Sequence, residues 1–136
     1  MASYGMVSGA PVLARLTASL GADVALNNTG TYFDGPSVAQ GTTGTWFASG
    51  SIVVNDTGGA ANINVKLWDG TTVIDSGRFS VIAANKEGPV ALSGYITNPA
   101  GNIRISAQDA TATTGVIVFN DSTGGKDSTL TVLRVG

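Results

Sequence analysis

The chain has 136 residues, 43% of them apolar and 12% charged, with a net charge of −2 and neither histidine nor cysteine. That length fits one domain with a core of its own. The composition excludes a disulfide framework, a Ser-His-Asp or Cys-His nucleophile and a clustered basic footprint for nucleic acid, and its apolar share argues against disorder.

Residues 1–11 are small, polar and Gly-containing and read as an extended arm. They lack the basic start and long apolar stretch of a signal peptide, which implies synthesis in a cytoplasm. Residues 12–20 (VLARLTASL) place leucines at helical spacing, but Thr17, Ser19 and Gly21 oppose a helix, so extended structure is expected. From Asp23 onward short apolar runs alternate with Gly, Asn and Asp. Val24–Leu26, Thr31–Phe33 and Val38–Gln40 are short strands, with Asp34-Gly35-Pro36 as a turn. Thr45–Asn55 is the strongest strand, and Trp46, Ala48, Gly50, Ile52 and Val54 share one of its faces.

Ala61–Trp68 alternates Ile63, Val65 and Leu67 against Asn62, Asn64 and Lys66. Asp69-Gly70 then marks a hairpin returning through Thr71–Ile74. Arg78–Ala83, Val90–Thr97, Asn102–Gln108, Gly115–Phe119 and Ser128–Val135 complete the pattern. No run approaches the length of a membrane-spanning helix. Short strands at about ten-residue spacing without a helix predict an all-β fold, a single jelly-roll β-sandwich of about eight strands over residues 23–136, with residues 1–22 as its extended N-terminal arm. The expected core is Ile52, Val54, Ile63, Val65, Leu67, Val81, Leu92, Ile103, Ile105 and Ile117.

The nine carboxylates fall mostly in turns, where Asp caps backbone N–H groups. Asn120–Lys126 lacks the spacing of a calcium loop, and Gly41–Gly44 lacks the lysine of a phosphate-binding loop. No catalytic, cofactor or metal residues are expected, and the chain reads as non-enzymatic. Adjacent Trp46 and Phe47 point to opposite sides of their strand, so one faces a loop, water or another subunit. The last strand carries large apolar groups on both faces, which predicts a central strand buried on both sides. Its Arg134 needs a carboxylate or carbonyl partner. The low charge suggests a surface partly covered by a partner.

Four segments carry a resemblance: VALNNTGTYFDGPSVAQG (24–41), GTWF (44–47), VKLWDGTTVI (65–74) and DSTLTVLRV (127–135). They resemble the small trimeric jelly-roll, tumour-necrosis-factor-like domains of tailed-bacteriophage virion proteins, which decorate capsids or cap fibres. The resemblance implies a homotrimer on the virion surface bound to the major capsid protein or another virion protein, with no catalytic residues. Because only about 22 residues precede the domain, with no heptads or repeats, a capsid decoration or head-spike role is expected. The alternative is a fibre tip that recognises host-surface carbohydrate, with Trp68 beside Asp69-Gly70 as its aromatic platform. Phe119, Leu130, Val132 and Arg134 are the expected trimer contacts. Tyr4, Met6, Val12 and Leu13 are the expected virion-attachment residues, with no role for nucleic acid or membrane.

Overall fold

The computed structural model describes residues 14–136. Tyr4, Met6, Val12 and Leu13 lie outside the described residues. The strands in chain order are β1 (Arg15–Ser19), β2 (Val24–Leu26), β3 (Phe33–Val38), β4 (Thr45–Asp56), β5 (Ala61–Trp68), β6 (Val73–Val81), β7 (Gly88–Thr97), β8 (Ile103–Asp109), β9 (Gly115–Val118) and β10 (Thr129–Arg134). They form two antiparallel sheets packed as a sandwich, the jelly-roll arrangement the sequence predicts.

β4 organises the larger sheet. One of its edges pairs with β7 over Thr45–Val54. Its other edge pairs first with β10 over Trp46–Ser51 and then with β9 over Val53–Asp56. β1 adds beyond β10, and β2 beyond β9. The smaller sheet runs β3-β8-β5-β6.

Alternation then fills the core. β4 contributes Trp46, Ala48, Ile52 and Val54, all at most 3% exposed. β5 and β8 answer from the other sheet with Ile63, Val65, Leu67, Ile103, Ile105 and Ala107. Each such aliphatic side chain contributes roughly 1.5–3 kcal/mol on burial. All ten residues predicted for the core are buried. Gly50 interrupts the β4 row for a packing reason. A Cβ there would lie 2.7 Å from Ile105 Cδ1, so the facing isoleucine occupies the space.

Three expectations change. The Asp34-Gly35-Pro36 turn is an irregularity inside β3, whose register against β8 shifts between Asp34 and Ser37. Gly35 suits it because a Cβ there would meet the Ile105 carbonyl at 2.9 Å. The expected strands Thr71–Ile74 and Arg78–Ala83 are not separate: β6 runs on through Ser76-Gly77, with Gly77 paired to Val65 and packed near Val90. Finally, residues 15–19, read as part of the arm, pair with β10 as an edge strand of the larger sheet.

The last strand is central, between β1 and β4, but it is buried on one side only: Thr129, Thr131 and Leu133 on its outer face are half-buried, because no further layer packs on that face within the chain. Leu130 and Val132 face inward and are completely buried within the single chain. That corrects their expected place on a trimer axis, since an inward row of a sandwich cannot touch another subunit. Arg134 lies at the end of this row. Its Nε donates to the Gly136 carbonyl at 2.9 Å, the kind of partner the sequence required. Gly44 opposite it has φ +95°, and a Cβ there would strike the guanidinium.

Val132→Asp is therefore expected to remove the folded state itself, because an unpaired carboxylate in this core costs several kcal/mol. Circular dichroism should show loss of the cooperative thermal transition; a folded monomeric variant would contradict the assignment.

Candidate functional site

The outer face of the larger sheet follows from the same alternation that built the core. Strand pairing aligns side chains into rows across β1, β10, β4 and β7. One row is Arg15, Leu133, Phe47 and Tyr95; the next is Thr17, Thr131, Ser49 and Ser93. Phe47 and Tyr95 pack ring against ring, with centroids 4.9 Å apart and planes inclined at 51°. Tyr95 is nevertheless 67% exposed, and Val135, just after β10, is 45% exposed. Hydroxyl pairs knit the face: Thr17 with Thr131 at 3.3 Å, Ser19 with Thr129 at 3.1 Å, and Thr45 with Thr97 at 2.9 Å. No carboxylate interrupts these rows. Such a hydroxyl-lined, aromatic-centred surface suits a protein contact.

The outer face of the smaller sheet is closed on itself. Arg78 Nε donates to Asn64 Oδ1, Asn64 Nδ2 to Gln108 Oε1, and Gln108 Nε2 to the Thr29 carbonyl. Trp68 Nε1 donates to Ser106 Oγ at 2.8 Å, and Ser106 donates on to Asp34. Lys66 Nζ lies 3.5 Å from the Trp68 ring centroid and 4.0 Å from that of Tyr32. The ammonium lies over one face of each ring, so Trp68 serves here as a cation–π partner.

A third feature is an acidic rim. Phe119, Asn120 and Asp121 line an open cleft of about 420 Å³ with Gly21, Ala22 and Asp23. Asp23 Oδ1 accepts from the Phe119 amide at 2.8 Å. Glu87 is exposed and pushed up to about 7, first by its hydrogen bond with Asp121, then by desolvation and the charges of Asp121, Asp127 and Asp23. Asp127 is held below the usual carboxylate range, chiefly by the Ser122 hydroxyl and amide.

The four expected trimer contacts are thus scattered. Phe119 is at the cleft, Leu130 and Val132 are in the core, and Arg134 is at one end of the sandwich. The surface pair sequence reasoning did not assemble is Phe47 with Tyr95. Half its signal was present, since Trp46-Phe47 forces one ring outward. The other half needed the β4–β7 register.

No family model matches the chain, and no curated protein matches it in sequence. Among solved structures, Eiger TNF from S. frugiperda superposes with a TM-score of 0.55 at 8% identity, covering 91% of this chain and 93% of that one. The CBM6 module at the C-terminus of LamC from Zobellia galactanivorans gives 0.45 at 12% identity, covering 89% and 100%. The vertex protein P5 of PRD1 gives 0.39 at 16% identity, covering 91% and 96%. The class is that of the jelly-roll β-sandwich. The likeness to Eiger is one of fold, and the other two are looser.

In carbon-detected NMR titrations the Glu87 carboxyl is expected to titrate near pH 7, and Asp121→Asn should return it toward about 4.3. The sign is that of a raised group: its stabilising contribution is present at acid pH and is lost as pH rises through about 7. An unshifted Glu87 would contradict the geometry of the rim.

Proposed function

We propose that this chain is a non-enzymatic structural protein of a bacteriophage virion, a capsid decoration protein that assembles as a homotrimer on the particle surface. The jelly-roll fold and the four sequence segments quoted above support the phage-domain reading. The absence of histidine and cysteine supports the non-enzymatic one. The observation that carries self-association is the Phe47–Tyr95 pair, set among hydroxyl rows with Tyr95 two-thirds exposed. Identical copies can meet there with little like-charge repulsion, because the rows carry no carboxylate and Arg15, at their edge, is their one charge. The trimer contact moves accordingly from Leu130 and Val132 to the outer face of the larger sheet.

The N-terminal segment remains the proposed attachment to the major capsid protein. Tyr4, Met6, Val12 and Leu13 place apolar groups on a stretch too short to form its own core. The carbohydrate-binding alternative is weakened at its own candidate residue, because Lys66 already lies against the rings of Trp68 and Tyr32.

Tyr95→Glu should leave the fold intact, since the side chain is mostly in water, and convert the trimer to monomer at micromolar concentration by native mass spectrometry. A wild-type chain that is monomeric, or a variant that stays trimeric, would refute this interface. Deleting residues 2–12 should keep the oligomer but abolish decoration of particles seen by electron microscopy. Full occupancy of the truncated chain would move attachment elsewhere, to the loops 27–34 or 120–126.

A further inference from the structure

The inward rows of the two sheets do not end on apolar residues. On β4 the row Trp46, Ala48, Gly50, Ile52, Val54 continues to Asp56, which is 1% exposed. On β8 the row Ile103, Ile105, Ala107 continues to Asp109, which is completely buried. The strands belong to different sheets, so the two carboxyl groups face each other across the gap of the sandwich at one end.

Each has one committed oxygen and one free one. Asp56 Oδ1 accepts from the Gly58 and Gly59 amides and from the Thr114 hydroxyl, at 2.7, 3.3 and 2.7 Å. Asp109 Oδ1 accepts from the Thr111 and Ala112 amides, both at 2.9 Å. Asp56 Oδ2 and Asp109 Oδ2 are buried with no donor from any other described group. The two carboxyl groups lie within hydrogen-bond reach of each other. Gly115, paired with Asp56, makes room for this: a Cβ there would lie 2.6 Å from Asp109 Oδ2.

We propose that Asp56 and Asp109 share a single proton, carried as an O–H on Asp109 and donated to Asp56 Oδ2, which clasps the two sheets together at this end of the sandwich. Two bare carboxylates in contact would repel in a site that water does not reach. A calcium ion would need six to eight oxygen ligands, and only two uncommitted carboxylate oxygens are offered here. One proton satisfies both.

The surroundings assign the proton's place. Asp109 is raised above the usual carboxylate range, first by burial and then by Asp56. Asp56 is also raised by burial, but its hydrogen bonds with Asp109, Thr114, Gly58 and Gly59 outweigh that and hold it low. The packed elements supply no competing charge at the pair. β5 presents Ala61 and Ile63, β9 presents Gly115, and the 110–114 turn presents hydroxyls and amides. The 82–87 loop reaches Asp56 through the Asn85 amide, which donates to its carbonyl at 2.9 Å, while Lys86 and Glu87 on that loop are exposed.

The sign follows from linkage. Asp109, raised in the folded state, stabilises fully below about pH 4, and that contribution is lost as pH rises through its folded value. Asp56, lowered, loses its contribution as pH falls through its own. The clasp is therefore strongest between the two, around the ordinary carboxylate value.

The test is carbon-detected NMR of aspartate carboxyl groups in the intact folded chain over about pH 2–9. Asp109 should titrate above, and Asp56 below, the ordinary value, and Asp56→Asn should bring the Asp109 step back down. Thermal melts give the second arm. Relative to Asp109→Asn, whose amide donates at every pH, wild type should lose melting temperature as pH rises from about 4 and then level off. An Asp109 that titrates at or below the ordinary value, or a wild-type-to-variant difference that does not change with pH, would overturn the proposal. So would a calcium-induced rise in wild-type melting temperature that Asp109→Asn abolishes, since a cation would then occupy the site.

Discussion

The twelve residues of β4 are the constraint on which the rest depends. Side chains alternate along a strand that carries no bulge, and β4 pairs without a register shift, so fixing one residue's face fixes all twelve. β4 pairs with β7 on one edge and with β10 and β9 on the other, and it transmits that choice to each of them. Trp46 inward means Ile52 and Val54 inward, and Asp56 with them. It also means Phe47 outward, and through the register Tyr95 and Leu133 outward. The core, the exposed aromatic pair and the buried carboxylate are three consequences of one parity.

Carboxylates hold the turns that make the short strands possible. Asp69 is 3% exposed, and its Oδ2 accepts from the Ala100 amide at 2.7 Å while Oδ1 receives the Thr71 and Thr72 amides. Burial alone would raise it, but those amides outweigh burial and hold it low. Asp56 and Asp109 cap their own turns in the same way, each through a single oxygen. What separates them from Asp69 is the second oxygen, which finds a backbone donor in one case and another carboxyl group in the other. A chain without cysteine has no disulfide between its sheets, so side-chain contacts that cross the gap carry much of the joining.

The two outer faces differ in how far their groups are already committed. On the smaller sheet, amides, guanidinium groups and rings bind one another, and a ligand would have to displace those contacts. On the larger sheet, the hydroxyls pair across strands while the aromatic rings keep their far side in water. Residual apolar exposure beside satisfied polar groups favours contact with a protein surface over recognition of a polar small molecule.

The sequence by itself determined the class of fold, because period-2 alternation between Gly-, Asn- and Asp-rich turns is a local property. It determined the core residues of β4, β5 and β8 for the same reason, and it required that one of Trp46 and Phe47 face outward. It could not decide which face of β10 is the core. Leu130 and Val132 on one side and Leu133 and Val135 on the other are equally apolar, and only the pairing of Val132 with Ala48 and Leu133 with Phe47 separates them. It could not distinguish a turn from an irregularity at Gly35-Pro36, since both need the same residues. Nor could it place Tyr95 on Phe47, or Asp56 opposite Asp109. Those pairs lie 48 and 53 residues apart in the chain (95 − 47 and 109 − 56), and strand register and sheet stacking, which sequence periodicity does not encode, bring them together.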